Sequence, residues 1–76
     1  MEKRLEIALA HPLRARVLAI LDENVASPKQ LARELGAPLG VVAYHVRVLG
    51  SLELIELVDV TQRRGAVEHR YTAVPR

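Results

Sequence analysis

Lys29, Arg33, Arg47, Arg63 and Arg64, with Tyr44 one helical turn before Arg47, are the side chains of this 76-residue chain best suited to recognition. Arginine outnumbers lysine nine to two, and the planar guanidinium fork binds two acceptors at once, as phosphates and base edges require. The net charge is only +2, so local clustering rather than total charge must carry any such role. Catalysis has less to draw on. There is no Cys, which excludes disulfides, thiolate metal sites and cysteine nucleophiles together. His11, His45 and His69 are scattered over three separate elements without metal-ligand spacing, so neither a metal site nor a cofactor is expected. No Ser, His and carboxylate set suggests nucleophilic catalysis, and the chain reads as a non-enzyme.

The elements that position these residues follow from size and pattern. A chain of this length makes one domain, expected to span residues 1–76, and a domain so small buries only about 60% of its unfolded surface. Half the residues are hydrophobic but the only aromatics are two Tyr, so the core must be built from Leu, Val, Ile and Ala. No apolar run approaches the ~20 residues of a membrane span, and no secretion signal follows Met1, so a cytoplasmic protein without membrane contact is expected.

MEKRLEIALA predicts a short helix with Leu5, Ala8 and Leu9 on one stripe and Ile7 off it, ending before His11-Pro12. Pro12 suits the first turn of a second helix, about Leu13 to Glu23, with Leu13, Val17, Ile20 and Leu21 inward and Arg14 and Arg16 pointing elsewhere. Ser27-Pro28-Lys29-Gln30 reads as a capping box, the firmest boundary in the sequence, and opens a third helix that stops at Gly36. The fourth begins near Pro38 after about three residues, a connection that sets the two helices at a steep angle: helix-turn-helix geometry. Its Val42, His45, Val46 and Leu49 recur at helical spacing, leaving Leu39, Gly40, Ala43, Tyr44 and Arg47 for a partner. ELIELVDVTQ and AVEHRYTAV are strand-like, with QRRGA as the turn between them. The fold class is therefore α+β, mainly α: a winged helix-turn-helix, three to four helices followed by a two-stranded β-hairpin wing.

HPLRARVLAIL, QLARELGAPLGVVAYHVRVL and LIELVDVTQRRGAVEHRY, in that order, resemble the ArsR-type winged-helix transcriptional regulators from about Ile7 to Val74. The resemblance implies a bacterial or archaeal regulator that binds double-stranded DNA, usually as a homodimer, with the helix over residues 39–50 in the major groove and the 63–66 wing tip beside it on backbone or minor groove. The DNA-binding residues are then expected to be Lys29, Arg33, Leu39, Gly40, Ala43, Tyr44, Arg47, Arg63 and Arg64. Tyr44 and Arg47 have a plainer reading as solvated polar residues on an outer helix face, and the wing arginines as the charging of an exposed strand edge.

Several departures from the family pattern shape the expectations. Pro38, Leu39, Gly40 and Ala43 stand where members commonly carry hydroxyl or amide side chains, so base reading is expected to be weak. Glu53 stands where a helix-ending glycine is usual, and Gly50 comes earlier, so the fourth helix is expected to end early or fray. Metal sensing is not expected to be inherited. With no C-terminal helix before Arg76, dimerisation is expected through the N-terminal helix, where Ile7 is left over. His45, inward with the valines, is expected to be a satisfied semi-buried histidine, and Tyr71 a core residue with its hydroxyl at the edge. The alternative from another class is a winged-helix protein–protein interaction module without sequence-specific DNA binding, for which the apolar Leu39, Gly40, Ala43 face is the argument.

Overall fold

The computed structural model describes residues 2–76 as four helices, α1 (Lys3–Leu9), α2 (Pro12–Glu23), α3 (Pro28–Leu35) and α4 (Leu39–Ser51), followed by an antiparallel hairpin of β1 (Ile55–Arg63) and β2 (Ala66–Ala73). Met1, where the expected N-terminal helix would begin, lies outside the described residues. Helix α2 packs on α4 and β2, α3 packs on α4, and α1 lies against α2. Their shared core contains Val17, Leu18, Leu21, Leu31, Val42 and Leu49, all at or below 1% exposure. Leu18 is the core position that the sequence reading of α2 omits. It lies on the 3- and 4-residue rows that join it to Leu21 and to its neighbours one turn away, so the apolar stripe of α2 is wider than expected.

Helix α3 is closed at both ends as its sequence predicts. Ser27 Oγ accepts the Gln30 backbone N–H at 3.2 Å while Gln30 Oε1 accepts the Ser27 N–H at 2.8 Å, the reciprocal pair of a capping box. At the far end Gly36 adopts φ 62°, and the Ala37 N–H reaches back to the Ala32 carbonyl at 3.0 Å. Only Gly36, Ala37 and Pro38 separate α3 from α4.

The expectation that α4 ends early at Gly50 is overturned. The helix runs through Gly50 to Ser51, and Glu53 itself takes the left-handed conformation at φ 61°. Its N–H donates to the Gly50 carbonyl at 3.0 Å and the Leu54 N–H to the Leu49 carbonyl at 3.1 Å, the same closure that Gly36 makes for α3. Leu49 and Leu54 are both core residues, and their burial holds the turn although its residue type disfavours it.

Two expectations for the N-terminal region also change. Leu9, placed on the inner stripe, is 43% exposed and joins Ile7, at 41%, on an outward apolar patch; Ala8 is buried and Leu5 half-buried. Arg14 does not point away: it is half-buried and donates to the Ala8 carbonyl at 3.2 Å and the Ile7 carbonyl at 2.8 Å. It thus supplies a donor to the Ala8 carbonyl and a second donor to the Ile7 carbonyl, which also accepts the Ala10 N–H at 3.3 Å, and fixes the end of α1 to α2. Arg4 ties α1 to the end of α4 through the Leu52 carbonyl, at 3.3 Å.

In the wing, Arg64 and Gly65 form a two-residue turn with φ 49° and 81°, the positive values that a tight hairpin with native twist needs. Pairing runs from Arg63–Ala66 to Ile55–Ala73, with a bulge between Leu57 and Asp59 where Val58 is the extra residue. Tyr71 exchanges both backbone hydrogen bonds with Ala26, at 2.9 and 3.0 Å, so β2 is anchored to the loop before α3 and the packing of Tyr71 against the core is as expected. Among the described residues no helix is long and apolar enough to cross a membrane.

Candidate nucleic-acid interface

The inward row of α4 fixes what its other face presents. Val42, His45, Val46 and Leu49 are all buried, which turns Leu39, Gly40, Tyr44 and Arg47 outward, with Leu39 50% and Tyr44 52% exposed. Ala43, expected on that open face, is half-buried. The open face is therefore Leu39, Gly40, Tyr44 and Arg47, with Ala43 at its margin, and no acidic residue occurs anywhere on α4. An α-helix with its side chains is about 10–12 Å across, comparable to the ~12 Å width of a B-form major groove.

Beside this face lies an open cleft between α3 and the wing. Lys29, Arg33 and Leu39 line one wall, and Arg63 and Arg64 the other. Five of the nine expected site residues therefore meet around one concavity; Gly40, Ala43, Tyr44 and Arg47 continue it along α4. Lys29, Arg33, Arg47 and Arg64 are exposed and enter none of the ion pairs found among the described residues. Elsewhere the pattern is mixed: Arg70 holds Asp59 through two hydrogen bonds of 2.8 and 2.7 Å, and Arg76 holds Asp22 the same way at 2.8 and 2.7 Å, while Lys3 and Arg16 are exposed and also outside those ion pairs. The Asp59 carboxyl is held below the usual carboxylate range by its hydrogen bonds to Arg70. What sets the cleft and the adjoining face of α4 apart is the clustering of Lys29, Arg33, Arg47 and Arg64, which makes that side locally electropositive.

Two residues in or near this region escaped the sequence reading. Glu68 is the one carboxylate lining the cleft, and accepts from Ser27 Oγ across 41 residues of chain, at 3.1 Å. No local signal marks such a contact. The second concerns His45, which is 2% exposed, and whose Nδ1 has no hydrogen-bond partner, so it is buried but not satisfied as expected. Its ring lies 4.3 Å from that of His11, centroid to centroid, and 5.3 Å from that of Tyr44. The histidines are thus less scattered than they read: two of the three are neighbours. Burial, reinforced by His11 and Arg14, pushes the His45 imidazole below its ordinary range. His11 Nδ1 meanwhile accepts the Leu13 N–H at 3.3 Å, capping α2. Among the described residues no group of three or more His, Asp or Glu side chains is placed to hold a metal ion.

Comparison with known proteins agrees with this fold. A family model described as a helix-turn-helix domain matches residues 9–58, from the end of α1 through the bulge of β1. Reduced HlyU from Vibrio cholerae superposes with a TM-score of 0.79 at 22% identity, covering 95% of this chain and 70% of that one. The homodimeric winged helix-turn-helix DNA-binding domain of a possible ArsR-family transcriptional regulator from Mycobacterium bovis gives 0.73 at 24% identity, covering 92% of this chain and 60% of that one. The cadmium metal-sensor CMTR from Mycobacterium tuberculosis gives 0.67 at 35% identity, with 95% of this chain and 70% of that one covered. A search of curated proteins finds no match.

Proposed function

We propose that this chain, which belongs to the ArsR-type winged helix-turn-helix transcriptional regulators, grips double-stranded DNA with α4 in the major groove and the Arg63–Ala66 wing tip against backbone or minor groove. The family is one of DNA-binding regulators and not of enzymes. The observation that carries the binding mode is the set of exposed cations without carboxylate partners, Lys29, Arg33 and Arg64 around the cleft and Arg47 on the adjoining face of α4.

The roles divide by what each side chain can reach. Arg47, one turn beyond Ala43, addresses a guanine edge or a phosphate at the groove wall; a good bidentate base contact is worth ~1–3 kcal/mol of discrimination. Tyr44 offers one hydroxyl, suited to a phosphate oxygen. Lys29 and Arg33 meet the backbone from α3. Arg63 and Arg64, at a tip that turns through Gly65, act electrostatically and tolerate any sequence. Leu39, Gly40 and Ala43 bring no hydrogen-bonding side chain, so they contribute close approach and at most contact with a thymine methyl. Base reading on this account is sparse, and phosphate contacts supply most of the affinity.

The regulator acts as a homodimer through α1. Ile7 and Leu9 form an outward apolar patch on a helix held in place by Arg14 and Arg4, and a relative of the same fold is described as a homodimeric DNA-binding domain. Two copies would present two α4 helices to successive grooves.

The test is affinity for a preferred site and for random duplex, over a salt series, for the parent and two variants. Counterion release gives a slope of about −0.9 per neutralised phosphate, so five cations set an upper bound of about −4.5 for each protomer engaged, roughly 500-fold between 50 and 200 mM salt for one protomer, and about −9 for the homodimer. Replacing Arg63 and Arg64 together by Ala should weaken binding to both DNAs alike and flatten the slope by up to about two. Arg47→Ala should instead narrow the gap between the two DNAs. Loss of discrimination in the wing variant alone would reverse the assigned roles.

A second reading rests on a specific observation: Leu39 and Val41 on α4, and Leu57, Val58, Val60 and Val67 on the wing, are 43–55% exposed apolar side chains. They favour a protein partner on this fold. A stable protein complex together with salt-independent or absent DNA binding would select that reading.

A further inference from the structure

Glu68 sits where DNA binding gives it no evident use. It is on β2, its side chain is 22% exposed, and it is the one carboxylate among the residues lining a cleft that also holds Lys29, Arg33, Arg63 and Arg64. One oxygen, Oε1, accepts the Ser27 hydroxyl at 3.1 Å, which anchors it to a residue only 1% exposed. The other, Oε2, lies 3.7 Å from Arg63 Nε. Its remaining cationic neighbour, Arg70, is already engaged by both oxygens of Asp59. The negative charge of Glu68 therefore falls mainly on Arg63, whose own side chain is 76% exposed and otherwise free to swing toward a ligand.

Resting on the DNA-binding reading above, we propose that Glu68 is a built-in competitor for DNA phosphate: it holds Arg63 against the wing and so lowers affinity for every duplex, whatever its sequence. A phosphate entering the cleft must take Arg63 from the carboxylate and lie near an uncompensated negative charge. Both effects oppose binding, and neither depends on base identity. The consequence is a lower phosphate-driven affinity at preferred and random sites alike, with the gap between them left to Arg47, so that binding is weaker and more readily reversed by salt.

The ordinary alternative is that Glu68 only joins the wing to α3 through Ser27. Glu68→Gln separates the two, because the amide carbonyl can still accept the Ser27 hydroxyl while the charge is gone. Binding to random duplex is measured by fluorescence anisotropy over a salt series for the parent, Glu68→Gln, Arg63→Ala and the double variant, with thermal melts of each. Exposed charge pairs of this kind predict a gain of roughly two- to fivefold at low salt for Glu68→Gln. The slope should steepen by up to about one phosphate equivalent as Arg63 is released. On the Arg63→Ala background most of that gain should disappear. If Glu68→Gln melts too low for binding to be read, Glu68→Thr, polar and compatible with a strand, gives the same comparison. Unchanged or weaker binding by the neutral variant, with the parent binding in a salt-dependent way, overturns the proposal alone. An undiminished gain without Arg63 also overturns it, since the carboxylate would then act as bulk charge. A parent that binds no DNA at any salt brings down the DNA reading and this proposal together.

Discussion

Replacing Glu53 by glycine should make the protein more stable, and the size of the effect follows from the turn that ends α4. Glu53 is held at φ 61° by the paired hydrogen bonds that close the helix on the Leu49 and Gly50 carbonyls. A residue with a Cβ pays roughly 1–2 kcal/mol to occupy that region. Glycine removes the strain but gives the unfolded chain more freedom to lose, which offsets about 0.4–1 kcal/mol. Taking a negative charge from the C-terminal end of a helix also helps, since the carbonyls there already present partial negative charge. The Coulomb attraction between Glu53 and Arg4 is lost, but both side chains are exposed and little depends on it. The net is a gain of about 0.5–1 kcal/mol, roughly 3–6 °C in Tm for a domain of this size. Urea unfolding should show a higher midpoint at an unchanged slope. Glu53→Ala is the control, because it discards the charge and keeps the Cβ. If alanine stabilised as much as glycine, or glycine gave no gain, the strain argument would be refuted and the charge alone, or neither, would be at work.

Acidification should destabilise the fold through His45. Its folded pKa is depressed, so its contribution is fully present above the unfolded value of about 6.5 and is lost as pH falls from there through the lower folded value; the charged and titrating groups around it are His11 and Arg14. Thermal melts at pH 8, 6.5 and 5.5 should show the fall, and His45→Leu should flatten it; a parent protein equally stable at all three would contradict the assignment. Ile7→Glu with Leu9→Glu should shift a dimer to monomer in sedimentation at micromolar concentration while leaving the melting temperature nearly unchanged, since both residues are over 40% exposed in one protomer. A parent that is already a monomer at high micromolar concentration counts against the α1 interface. Added zinc should alter neither stability nor DNA affinity, and a stoichiometric sub-micromolar site by calorimetry would overturn that expectation.

What could be read from the sequence was what neighbours in the chain decide. Ser27 and Gln30 are three residues apart, and Gly36 closes a helix whose apolar rows are already fixed; local hydrogen bonding settles both. The inward row of α4 follows from helical spacing alone, and so does the outward face with Tyr44 and Arg47. The misses depend on contacts that spacing does not encode. Glu53 is left-handed because Leu54 is buried beside Leu49, a tertiary gain that outweighs residue preference. Arg14 reads as a surface residue until α1 folds back and offers it two carbonyls. Leu9 belongs to the apolar stripe of a short helix, but that helix meets the body along only part of its length, and Leu9 is left outside. Val58 cannot be seen as a bulge without its partner strand. For the candidate interface, Lys29, Arg33, Arg63 and Arg64, named from sequence, line one cleft in the fold, whereas the His11–His45 contact and the Glu68–Ser27–Arg63 grouping join residues tens of positions apart and required the fold.

In the proposed binding mode α4 and the wing cleft face DNA while α1 does not. At 8.4 kDa, the chain is small enough for backbone amide NMR, and a titration of the labelled protein with random duplex at low salt tests that mode directly. The largest shift changes should fall on Lys29, Arg33, Gly40, Ala43, Tyr44, Arg47, Arg63 and Arg64 and reverse on adding salt, while Ile7, Leu9 and the outer side of α2 stay unaffected. Shift changes confined to α1, or none at any duplex concentration alongside a well-folded spectrum, would contradict it.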